Sequence, residues 1–173
     1  MMATMFRLST PRSMKGMRHM RRSYGLSLVV LSCVCSLSAC TTTPEVGMRT
    51  ITVPDAPKAA GPYSQGTIAN GFLFTTGQVP RDPATGKAVE GDITVRANRL
   101  FDSLEAILRG GGCTLKDVVK VSVFLTDLAD SPKLNEVFSA RFGNHRPARS
   151  TVQVSKLPSN ATLEMDFIAR IPR

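Results

Sequence analysis

The sequence predicts an α+β domain, a mostly antiparallel sheet with two helices on one face. Three observations carry that expectation. Asn70-Gly71, flanked by β-prone residues at 67–69 and 72–76, is a strong short hairpin signal. Ala97, Leu100, Phe101, Leu104, Ile107 and Leu108 recur at helical spacing and form an apolar stripe. Near the end of the chain Leu163, Met165, Phe167 and Ala169 alternate with Glu164, Asp166 and Arg170, the period of a half-buried strand. Strand and helix periods follow one another as β-β-β-α-β-α-β-β, which stacks a helical layer on a sheet.

The elements can be placed in order. A turn-rich loop, Arg81-Asp-Pro-Ala-Thr-Gly86, follows the hairpin. Asp92 offers an N-cap for a helix ending at Gly110. Residues 118–125 are rich in β-branched side chains and read as a buried strand. Ser131 with Pro132 starts a second, shorter helix to about Phe142. In the strand at 149–155, Val152 and Val154 share one face while Arg149, Thr151, Gln153 and Ser155 share the other. The helix stripe is expected to cover the apolar sheet face, leaving Arg149 and Glu164 together on the opposite one. An oligomer packing these faces together, with a polar pocket between, would satisfy both charges.

Charge divides the chain before any motif does. Lys plus Arg number 22 against 13 Asp plus Glu, a net +9, but residues 1–39 supply six cations and no acid. Residues 40–173 are left at 16 − 13 = +3. The basic stretch at 18–22 precedes 14 uncharged residues, 26–39, too short for a span of roughly 20. A basic start, a short apolar run and small closing residues make a secretory signal. Its end, Leu37-Ser38-Ala39-Cys40, resembles the lipobox of bacterial lipoproteins, which implies cleavage before Cys40 and lipidation of its thiol. Thr41 after that cysteine implies the periplasmic side of the outer membrane; an ordinary signal peptide would instead leave a soluble periplasmic protein. The organisation is therefore signal peptide 1–39, lipidated cysteine and tether 40–50, and domain 51–173.

The leader takes Cys33 and Cys35 with it, so only Cys113 remains as a free thiol and no internal disulfide can form. His145 is the lone histidine after residue 40, so no metal-ligand spacing exists. With no basic run, nucleic acid is not an expected partner, and Phe72 and Phe74 read as buried hairpin residues rather than a stacking platform.

Gly61-Pro-Tyr-Ser-Gln65, Thr75-Thr-Gly-Gln78, Asp117-Val-Val-Lys120, Asn135, Pro147-Ala-Arg-Ser150 and Leu157-Pro158 before Glu164 occur in this order. Together they resemble the RidA (YjgF) family from Ile51 to Pro172. The resemblance implies a chorismate-mutase-like sandwich and a homotrimer with sheet faces inward. It implies hydrolysis of reactive 2-imino (enamine) acids, such as 2-iminobutanoate and 2-iminopropanoate, to 2-keto acids and ammonia, with no metal or organic cofactor. It assigns Arg149 to the substrate carboxylate, which suits a planar guanidinium fork. Glu164 would orient or activate water, and Tyr63 would line the pocket. Thr76, Gly77, Asn135 and Thr151 would contact substrate.

Without the motif, each residue has a plainer reading. Arg149 is then a surface arginine, Glu164 a solvated strand face, Tyr63 a packing residue, Gly77 a turn glycine and Asn135 a helix stiffener. Thr151 stands where the family often has Cys, Ala or Ser. Arg146 stands where an aromatic residue is common, and Asp166 where Glu is more usual. The alternative function is a non-catalytic carboxylate-binding or chaperone-like trimer of the same fold.

Overall fold

Asn70 and Gly71 both take positive φ, 48° and 77°, as a type I′ hairpin turn requires at its two central positions. They join β2 (Gly66–Ala69) to β3 (Phe72–Thr75) in antiparallel register. The computed structural model describes residues 47–172; the leader, Cys40 and the first part of the tether lie outside them. β1 (Arg49–Ile51) pairs with β2 and begins two residues inside the segment read as tether. Three residues are too few to show an alternation.

α1 (Ile93–Gly110) begins where Asp92 accepts the Val95 N–H at 3.0 Å, the expected N-cap bond. Every residue of its predicted stripe is fully buried. β4 (Val118–Leu125), α2 (Ser131–Phe142), β5 (Ala148–Gln153) and β6 (Leu163–Arg170) follow. The sheet order is β1-β2-β3-β6-β4-β5, antiparallel throughout except for β4 and β5. A parallel pair needs a crossover, and α2 supplies it. Phe101 on α1 meets Phe138, Phe142 and Phe167 at centroid distances of 5.1, 5.7 and 5.8 Å, tying both helices to β6.

Two expectations are corrected. Phe72 and Phe74 are not buried within the protomer; they are 37% and 42% exposed, beside Arg170 and Ile168 on the open sheet face. Alternation gives two sets per strand but not which set faces the helices, and here Leu73 went inward. Likewise Arg149 and Glu164 lie on opposite faces. Arg149 is registered with Val121 and Thr151 with Val123, on the helix side, whereas Glu164 is registered with Phe124 on the open side. β5 is an edge strand whose valine, Val152, points outward to the open face with Phe124.

Gln65 is a polar side chain buried to 2% exposure. Its Oε1 accepts the Val53 N–H at 2.6 Å, and its Nε2 reaches the Val53, Ala56 and Pro57 carbonyls at 3.2, 3.1 and 2.8 Å. This clamp holds the 53–57 loop against β2. Gln65→Ala is expected to cost about 2–3 kcal/mol, because it strands buried backbone groups. Urea unfolding measures it, and an unchanged midpoint would show that the clamp is idle.

Candidate active site

β3 ends at Thr75, and the chain then crosses to β6. Gln78 and Met165 exchange backbone hydrogen bonds at 2.8 and 3.1 Å. The Thr75 hydroxyl accepts the Phe167 N–H at 2.9 Å, and Thr76 N–H donates to the Gln65 carbonyl at 2.9 Å. This lattice lays Gly77 directly against Glu164. A Cβ on Gly77 would lie 2.9 Å from Glu164 Cδ and closer still to Oε1, so the glycine makes room for the carboxylate.

Tyr63, Thr76, Gly77 and Glu164 line one cavity of about 280 Å³. Tyr63 is 52% exposed; its hydroxyl oxygen accepts the Ala60 N–H at 3.2 Å, leaving its own proton free to donate. Burial pushes the Glu164 carboxyl above its ordinary value, and the charge of Asp166 adds to that. Burial also raises Asp166, opposed by a hydrogen bond from the Ser122 hydroxyl at 3.0 Å and by Lys120. Lys120 Nζ in turn donates to Ser150 Oγ at 2.7 Å.

Because the atom facing Gly77 is the end of a flexible side chain, Gly77→Ala should fold normally and displace the carboxylate. The expected result is an unchanged melting temperature with any turnover that uses the Glu164 carboxylate reduced at least about ten-fold by misplacement. Wild-type turnover in that variant would detach Glu164 from the chemistry.

Arg149 belongs to a different cavity, of about 380 Å³, with Asn135, Phe138, His145 and Arg146. Its Nη2 donates to Asn135 Oδ1 at 2.7 Å, and its guanidinium sits 4.6 Å from the Phe138 ring centroid. Ring and amide hold the fork in one orientation while its other N–H groups remain available. His145 Nε2 lies 2.7 Å from the Val118 carbonyl, so that nitrogen carries the proton. Arg146 donates to the Gly143 and His145 carbonyls, in the turn that follows α2.

One protomer thus brings Tyr63, Thr76, Gly77 and Glu164 together, and separately joins Arg149 to Asn135. Thr151 lines neither cavity. Among the described residues, no group of three or more His, Cys, Asp or Glu side chains is placed to hold a metal ion.

Residues 53–171 match the family described as endoribonuclease L-PSP. The chain belongs to that family. A RutC family protein of Pyrococcus abyssi is 49% identical over 114 residues, 66% of this chain and 90% of that protein. The structure of RidA from an Antarctic Psychrobacter is 40% identical with a TM-score of 0.69, covering 71% of this chain and 99% of that one. Escherichia coli TdcF with bound serine is 36% identical at TM-score 0.67, covering 72% and 99%. The RidA-type resemblance read from the motifs is therefore borne out as a family and as a fold.

Within this family member, sequence reasoning missed four contributors near the site. Gln65 was part of a motif but had no assigned work. Ser122 was hidden in a strand. Lys58 and Arg81 also line the Glu164 cavity, although they are remote from it in sequence. A cation in a loop carries no signal of where it points, so only the fold could reveal these two.

Proposed function

We propose that the chain is a hydrolase of reactive 2-imino acids, releasing 2-keto acid and ammonia, and that its site forms between protomers of a trimer. The observation that carries this reading is the half-buried, raised Glu164 carboxyl seated on Gly77 in the cavity that Tyr63 also lines. Support for assembly comes from the open sheet face, where Phe72, Phe74 and Val152 are exposed apolar side chains. A second copy covering that face would bury them and bring its own edge strand, with Arg149, toward this Glu164.

The chemistry follows from these groups. Arg149 of one protomer holds the imino acid carboxylate by its fork. Glu164 of the neighbour accepts a proton from water as the oxygen adds to the imine carbon, while the Tyr63 hydroxyl positions water or substrate. The same carboxyl gives that proton to the imine nitrogen, which completes the carbinolamine. The carboxylate then takes the hydroxyl proton and passes it to nitrogen as the C–N bond breaks, leaving the keto acid and ammonia. A carboxyl raised toward neutrality suits both transfers. RNA cleavage, which the family name carries, finds no favouring charge, since residues 40–173 hold only +3.

The test generates 2-iminobutanoate in situ with a threonine dehydratase, traps it with semicarbazide, and adds the full chain in mild detergent. Faster imine loss supports the hydrolase. No acceleration would leave the carboxylate-binding trimer as the reading. The export signal extends the proposal to location: Cys40 anchors the domain at the periplasmic side of the outer membrane. Fatty-acid labelling should be lost in Cys40→Ser, and persistent labelling would place the lipid elsewhere or refute it.

A further inference from the structure

Most of the Glu164 cavity is accounted for by the proposed chemistry, but its two cations are not. Lys58 and Arg81 line the same 280 Å³ space as Glu164 and Tyr63. Among the described residues neither forms an ion pair, whereas Arg96 and Arg141 do. We propose that these cations select 2-imino acids bearing a second, distal carboxylate, that is, imines of acidic amino acids. This rests on the hydrolase reading and names its substrate class.

Arg81 is built into its position. Its backbone bridges Ala88 across the loop, and the Asp82 carboxylate closes the intervening turn by accepting the Ala84 and Thr85 N–H groups at 3.0 and 2.8 Å. The guanidinium also donates to Ser159 Oγ. Ser159 and its neighbour Asn160 take φ of 56° and 54°, a left-handed backbone that non-glycine residues adopt only at a cost. A guanidinium has five donors, so this bond leaves others to face the cavity. Lys58 approaches from the segment just beyond the Gln65 clamp.

Charge balance selects the ligand. The neighbour's Arg149 matches the carboxylate next to the imine, leaving Lys58 and Arg81 in a cavity where Glu164 is the one lining carboxyl. A methyl or ethyl side chain would offer these cations nothing. A distal carboxylate would complete the pairing, with Val79 and Pro158 of the same wall against its methylenes. No covalent step is added, since the distal group only binds.

The experiment compares 2-iminosuccinate and 2-iminoglutarate, made by oxidases of aspartate and glutamate with catalase present, against 2-iminopropanoate made from alanine. The full chain is assayed in mild detergent by semicarbazide trapping. The expected ratio of kcat/KM, dicarboxylate over monocarboxylate, exceeds one and falls about ten-fold or more in Lys58→Met and in Arg81→Met. Arg81→Lys should recover much of it. Lys116→Met, which removes an equal charge elsewhere, should leave the ratio unmoved. Lys58 is exposed and makes no hydrogen bond with the described residues, so its variant avoids a folding failure. A wild-type ratio at or below one, or one that neither methionine variant changes, overturns the selection while imine hydrolysis stands. Inactivity toward every imine overturns the hydrolase reading and this proposal together.

Discussion

Glu164→Gln is expected to lower kcat for imine hydrolysis by about 10²- to 10⁴-fold, the usual worth of a positioned acid–base group, and to make the protein more stable at neutral pH. Both effects come from one cause. Burial, with help from Asp166, raises the carboxyl above its ordinary 4.5, so the fold retains a proton that the unfolded chain releases. Its contribution to stability is complete below 4.5 and is lost as pH rises through the folded value. Glutamine carries no charge to desolvate. Thermal melts should therefore show a gain for the variant at pH 7 that disappears near pH 4. In the wild-type protein the rate should fall as acid protonates this group, with a midpoint above 4.5. Equal melts at both pH values, or undiminished turnover, would remove Glu164 from its role.

Arg149→Ala is the second large effect, about 10- to 150-fold in kcat/KM, for loss of a charge-assisted bond of roughly 1.5–3 kcal/mol. Because the guanidinium rests on Phe138 and Asn135 of its own chain, the loss should appear without a change of fold. A second signature follows from assembly. In the proposed trimer the variant removes a cation beside the neighbour's Glu164, which should move the acid limb of the pH–rate profile upward. Mixing Arg149→Ala with Glu164→Gln protomers should restore roughly a quarter of wild-type activity, since random assortment reunites intact halves at that frequency. Mixed subunits that stay inactive would place both residues in one chain's site, or neither.

Much of the fold was legible because the patterns were long. The α1 stripe spans several turns, and every one of its residues is buried. Asn70-Gly71 left one economical turn geometry, and Leu163 through Ala169 had four alternations to show their phase. The failures were matters of face rather than of element. β5 offers Val152 and Arg149 as neighbours of opposite character, and hydrophobicity alone sent the valine toward the helices. At a sheet edge the preference reverses, because another surface can cover the valine. For the same reason Phe72 and Phe74 were taken as core. The motifs found Tyr63, Gly77 and Glu164, which share a cavity, but could not say that Arg149 lies across the sheet from them. Lys58 and Arg81 had no sequence signal at all, since their meeting depends on where two separate loops return.

The separation of Arg149 and Glu164 on opposite faces of one sheet has a consequence for dosage. On the proposed assembly a lone chain is inert, so activity per molecule should decline on dilution even though every molecule remains folded. A copy defective in both residues would spoil the contacts it shares on either side, and so act dominantly when coexpressed. Two copies, each carrying one lesion, would rescue one another. Confining chains to a membrane surface by a lipid would shift the dilution threshold, because tethered neighbours meet at a high effective concentration.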